Sequence, residues 1–127
     1  MKKIVPVVLL SLAAASAYAG AKGNDFVTIS TQFSYATGAM GSARNSADAM
    51  QQIGCGFVAN TGQNTYLSCS AIDAKGNRAW CISTNSELVK AAQGIGTDTD
   101  LVFTWDASGN CTSLNVYNGS NNPPKAP

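Results

Sequence analysis

The sequence predicts an α+β fold: an antiparallel sheet of four to six strands, two helices packed on one face, and two disulfides. Three observations carry this expectation. Asp73-Ala-Lys-Gly76-Asn77 and Asp106-Ala-Ser-Gly109-Asn110 share the pattern D-A-x-G-N between runs of β-forming residues. Segments opening at Ser42 and at Thr84 carry helix-start signals followed by apolar stripes. Four cysteines, Cys55, Cys69, Cys81 and Cys111, form an even set.

The turn pattern is the most specific of the three. Asp at the first turn position accepts hydrogen bonds from the backbone ahead of it. Gly three residues on takes the left-handed conformation that closes a type I turn with a G1 bulge. Each copy therefore predicts a hairpin, and Asn60–Asn64, centred on Gly62, predicts a looser third one.

For the first helix, Ser42 is the expected N-cap, Ala43, Ala47 and Met50 the stripe, and Gly54 the stop, giving about 43–53. For the second, Thr84-Asn-Ser-Glu87 has capping-box spacing, Leu88, Ala91, Ala92 and Ile95 form the stripe, and Gly94 or Gly96 ends it. Asn45-Ser46 and Asn85-Ser86 open the two helices and a D-A-x-G-N turn follows each, which reads as a degenerate α-then-β repeat. Phe26 to Tyr35 fits two periods. It alternates as a strand, and it also starts a 3-4 spaced stripe running to Met50. Its β-branched and hydroxyl residues, with Gly38 and Gly41 behind them, favour the strand.

Residues Met1–Ala19 read as a secretory leader. Lys2 and Lys3 are its charged start, Ile4 to Ala15 its apolar stretch, and Ala17-Tyr18-Ala19 its cleavage pattern. The apolar run is shorter than the roughly 20 residues of a spanning helix, so no membrane insertion is expected after cleavage. Removing 19 residues from 127 leaves 108, the size of one domain, read here as 20–117 with a disordered Asn- and Pro-rich tail at 118–127. The expected location is the periplasm or the extracellular space. There, four cysteines form disulfides by default. Their spacing lacks the close pairs of a zinc site, and no histidine completes a mixed one.

Charge narrows the partners. Without the leader, six basic residues face seven acidic ones, a net of about −1 with no basic cluster. Nucleic acid and anionic membrane surfaces are both disfavoured. Chemistry is sparse as well. With no histidine and the thiols oxidised, no nucleophile has a base beside it. Asp98, Asp100 and Asp106 read as turn and cap residues, too sparse for a calcium loop and not arranged as a glycosidase pair. Gly38-Ala-Met-Gly41-Ser42 lacks the Lys of a phosphate loop and reads as a packing or loop segment. The expectation is a protein that is not an enzyme and holds neither metal nor cofactor.

Register carries the argument to a surface. If Asp73 faces Asn77, Ile72 pairs with Arg78, Ser70 with Trp80, and Cys69 with Cys81. If the preceding hairpin centres on Gly62, Cys55 faces Cys69 and Phe57 faces Leu67. Directly opposed residues share a face. One face then holds Cys55, Phe57, Ala59, Leu67, Cys69, Ala71, Ala79 and Cys81, apolar and suited to a core. The other holds Tyr66, Ile72, Arg78, Trp80 and Ile82 among small polar residues, the mixture that protein-binding surfaces enrich. A second layer covering this face as core is the competing reading. Both Cys55 and Cys81 are within reach of Cys69; Cys55–Cys69 with Cys81–Cys111 is preferred, because the second bond then ties the last hairpin to the meander.

The function expected is an exported, non-enzymatic binding domain for a protein partner. The alternatives are a subunit of a surface fibre, self-assembling by strand donation or pilin-like packing, and an inhibitor or immunity protein against an exported hydrolase.

Overall fold

The computed structural model describes residues 22–127, so the leader read over Met1–Ala19 lies outside the described residues. Along the chain come β1 (Thr28–Ser30), β2 (Tyr35–Ala39), α1 (Met40–Arg44), β3 (Gln52–Val58), β4 (Tyr66–Ile72), β5 (Arg78–Ser83), α2 (Ser86–Ala92), β6 (Thr99–Trp105) and β7 (Cys111–Asn118). The class is mixed α+β. The expected single sheet is corrected to two antiparallel ones, ordered β1-β2-β6-β7 and β3-β4-β5. The two sheets meet at one parallel bridge between Ile82 and Asn110, where the Ile82 N–H donates to the Gly109 carbonyl at 3.1 Å. Nor do the helices cover one sheet face. Helices of five and seven residues bury too few side chains for that. Instead α1 touches β2, β3 and β6, and α2 touches β3, β4 and β7, each at the seam between sheets. Leu67, Cys69, Ala71, Ala79 and Cys81 from one sheet, Ala36, Leu101, Phe103 and Leu114 from the other, and Ala43, Val89 and Ala92 from the helices form one core.

The two D-A-x-G-N turns are near copies. Asp73 Oδ1 accepts from the N–H groups of Lys75 and Asn77, each at 2.9 Å, and Oδ2 accepts from the Asn77 amide at 2.8 Å. Asp106 takes Ser108, Asn110 and the Asn110 amide in the same way, at 2.9, 2.9 and 3.0 Å. Gly76 and Gly109 sit at φ of 83° and 80°, where a side chain would be strained. These bonds depress both carboxyls: at Asp73 burial opposes ionisation but the bonds from Asn77 and Lys75 prevail, and at Asp106 the Asn110 amide leads.

Pairing across the meander matches the expected register: Ile72 opposite Arg78, Ser70 opposite Trp80, Cys69 opposite both Cys55 and Cys81, and Phe57 opposite Leu67. The bonds formed are Cys55–Cys69 and Cys81–Cys111. Strand alternation gives a reason for the first choice. An antiparallel ladder alternates close and wide pairs, and a residue close to one neighbour points its N–H and C=O toward the other. Cys55 and Cys69 are 4.0 Å apart at Cα, the close type, so Cys69 meets Cys81 as a wide pair.

Three local expectations change. The strand read over Phe26 to Tyr35 is a hairpin, β1 and β2, turned at Thr31–Ser34 with Ser34 at φ 51°. The helix expected at 43–53 occupies only Met40–Arg44. Beyond it Asp48 diverts the chain: its Oδ1 accepts from the N–H groups of Met50 and Gln51, both at 2.8 Å, and its Oδ2 from the Gln51 amide at 2.6 Å. Those bonds, led by the Gln51 side chain, hold the Asp48 carboxyl at about 2. A short acceptor side chain here outcompetes the helix for backbone donors. Ser42 does not cap. It is buried inside α1, and its hydroxyl accepts from the Asp25 N–H at 3.0 Å. The repeat fails at the same place, since Asn45 ends α1 whereas Asn85 caps the start of α2, accepting from the Glu87 and Leu88 N–H groups.

The tail expected to be disordered lies against the fold. The Lys125 N–H donates to the Thr97 carbonyl at 3.2 Å, the Ala126 N–H to Asn45 Oδ1 at 2.8 Å, and Asn122 is buried. Gly41 makes this approach possible, because a Cβ there would stand 1.7 Å from the Pro123 carbonyl oxygen.

Candidate functional site

The outer face of the β3-β4-β5 sheet is open. Trp80, at the centre of β5, is 56% exposed, Arg78 and Ile82 are exposed, Tyr66 is half-buried, and Ile72 is buried. All five project to the same side, because they occupy alternate positions on paired strands. The inner side of those strands carries Leu67, Cys69, Ala71, Ala79 and Cys81, all buried. Two rows cross the outer face, Gly54–Ser70–Trp80 and Gly56–Ser68–Ile82. A Cβ at either glycine would meet nothing within 4 Å, so both rows begin low and rise to a large side chain.

The Asp106–Asn110 turn stands beside this face. A Cβ on Gly109 would lie 3.9 Å from the Trp80 ring, and Asn110 joins Tyr66, Ile82, Ser83 and Thr84 in lining a cavity of about 240 Å³. Small-molecule pockets run to about 300–1,000 Å³. The notch suits one projecting side chain better than a metabolite. Tyr66 enters it from β4 and Asn110 from the turn before β7, a closeness with no signature in spacing along the chain. A larger hollow of about 500 Å³ lies between the Asn64–Thr65 loop and α2, lined by Thr84, Ser86, Val89, Lys90 and Gln93 as well.

Titratable chemistry gathers elsewhere. Asp100, at the start of β6, is raised to about 6, first by burial and then by the Asp25 carboxyl beside it. Its Oδ1 is buried with no hydrogen-bond partner. Asp98, the neighbour considered from sequence, offers its backbone carbonyl to the Asn122 amide. Asp25 was invisible as a partner because it lies 75 residues away. An acid whose folded pKa is raised resists ionising in the native state alone, so stability falls as pH rises from about 4 to about 6. Asp48, Asp73 and Asp106 are depressed and act oppositely, adding stability as pH rises toward 4. Thermal melts across pH 3–8 should therefore peak near pH 4–5. Asp100→Asn keeps a donor toward Asp25 and should flatten the decline above that peak, with a gain on the order of 1 kcal/mol at pH 7 for a partly exposed pair. A decline of equal size in the variant would reject the pair as its source.

Cys69, Cys81 and Cys111 bring their sulfurs within 4.8 Å of one another. The reason is covalent: two disulfides stack in the core, and among the described residues no cysteine is free to ligate. The bonds fit an oxidising, non-cytoplasmic compartment. Among the described residues no helix is long and apolar enough to cross a membrane. No known protein family, characterised protein or solved structure matches this chain.

Proposed function

We propose that this is an exported, non-enzymatic domain that binds a protein partner through the open face of the β3-β4-β5 sheet. The carrying observation is Trp80, more than half exposed at the centre of β5 with a side-chain-sized notch two residues along the strand. A tryptophan left in water forgoes the burial that aromatic side chains ordinarily contribute, and such residues concentrate at the centres of interfaces. Arg78 and Ile82 extend the surface along β5, Tyr66 forms one wall of the notch, and Ile72, on the same face at the end of β4, is buried. Export is supported by the leader pattern and by the two disulfides. The strand-donating fibre is not favoured, because β1 is paired along its length with β2.

Trp80→Ala tests the reading. Loss of a central aromatic anchor should weaken partner binding by about 2 kcal/mol or more, roughly thirtyfold. Folding stability should fall by no more than about 1 kcal/mol, since the ring is not in the core. Capture from envelope extract with wild-type and variant baits, alongside denaturant titrations, reads both quantities. A partner retained equally by both baits would refute the assignment of this face.

A further inference from the structure

We propose that the free edge of β3 pairs with the same edge of a second copy, making a two-fold dimer with one six-stranded sheet. The close Cys55–Cys69 pair turns the N–H and C=O of Cys55 away from β4, and those of Phe57 follow two residues on. Among the described residues, nothing bonds the backbone of Cys55 or Phe57 on that outer side. Edge strands are ordinarily protected by Lys, Pro, a bulge or a covering element. The β3 sequence Gln-Ile-Gly-Cys-Gly-Phe-Val has neither charge nor proline, and its last three residues are exposed. The opposite edge of this sheet, β5, is by contrast met by the Asp106–Asn110 turn.

The occupant follows from the order of side-chain sizes. A two-fold axis through Gly56 sets Cys55 opposite the partner's Phe57, and both residues point their polar groups outward. Each such pair exchanges two hydrogen bonds, four in all. The same axis sets Val58 opposite the partner's Gly54, where there is open space for it, and Phe57 beside the partner's Cys55. Large residues thus meet small ones on both faces of the seam. Phe57 and Val58 are 47% and 39% exposed in the single chain and would be covered. No like charges face one another across the seam, since β3 has none. The axis stands perpendicular to the sheet, so both copies of Trp80 emerge on one side. The dimer itself does not rest on Trp80 binding anything.

A seam of this length buries less than the roughly 1,600 Å² of a standard interface, so association should appear only at about 10–500 µM. Sedimentation velocity of the secreted, oxidised protein over that range should show a concentration-dependent monomer–dimer equilibrium. Val58→Lys brings a charge to the seam, and Gly54→Val fills the space that the partner's Val58 would take. Each should weaken dimerisation at least about tenfold while leaving the thermal midpoint within a few degrees of wild type. Phe33→Lys, at an exposed turn between β1 and β2, and Trp80→Ala should dimerise as wild type does. A protein monomeric up to 500 µM would overturn the proposal. So would a dimer that Val58→Lys and Gly54→Val leave intact, which would place the contact on another surface.

Discussion

Replacing both Cys81 and Cys111 by alanine should lower folding stability by about 3–4 kcal/mol. The bond closes a loop of 31 residues, for which the chain-entropy relation gives about 3.7 kcal/mol. Both residues are buried, so the two lost sulfurs also leave a small packing defect. The position of the bond matters as much as its loop length. It joins β5 of one sheet to β7 of the other, beside the Ile82–Asn110 bridge that β5 makes with the turn before β7. Cys55–Cys69 lies inside one sheet, across strands that seven paired positions already hold in register. That bond closes only a 15-residue loop, so the matching double replacement should cost about 3 kcal/mol and leave the two sheets docked. Total stability for a domain of this size is about 5–15 kcal/mol, so both effects are measurable by denaturant titration. A Cys55/Cys69 replacement that costs more than the Cys81/Cys111 one would contradict the role given to the inter-sheet tie.

How much of this was legible in the sequence follows the range of each interaction. The meander could be read to the residue. Two D-A-x-G-N turns bond within five positions; the first carries its register through every β4–β5 pair, whereas above the second a bulge between Thr104 and Trp105 shifts the β6–β7 pairing by one residue. The Thr84–Glu87 capping box places α2 close to where it lies, although the cap itself is Asn85, one residue on, which accepts from the Glu87 and Leu88 N–H groups. The first helix is shorter than its stripe predicts because the same segment contains Asp48, whose carboxylate satisfies backbone donors without a helix. Period alone does not weigh that competition. The tail was misread because its packing depends on a single missing Cβ at Gly41, about 80 residues earlier. The Asp25–Asp100 pair and the Tyr66–Asn110 notch are long-range in the same sense. For the candidate face, the sequence told which five residues lie together but not whether a second layer covers them. That depends on how seven strands divide into two sheets, and the four-stranded sheet packs against the other side.

Phe103→Ala should cost about 3–5 kcal/mol, which sets it against the small loss expected for Trp80→Ala and tests that division of faces directly. Both are central aromatics on strands of the same protein. Phe103 is fully buried, paired with Ala36 on β2 and Leu114 on β7, and its ring lies 5.9 Å from that of Trp105. Its neighbours are held by ladder hydrogen bonds on both sides, so the backbone has little freedom to collapse into the space a methyl side chain would leave. A cavity of that kind adds to the lost transfer energy of the ring. Trp80 is larger, yet truncating it opens no cavity because more than half of it already faces solvent. Side-chain size alone would rank the two losses the other way. Phe103→Leu, which refills most of the volume, should recover a large part of the loss and separate cavity formation from a general intolerance of the site. A Phe103→Ala loss below that of Trp80→Ala would mean that the buried and open faces of the molecule have been exchanged.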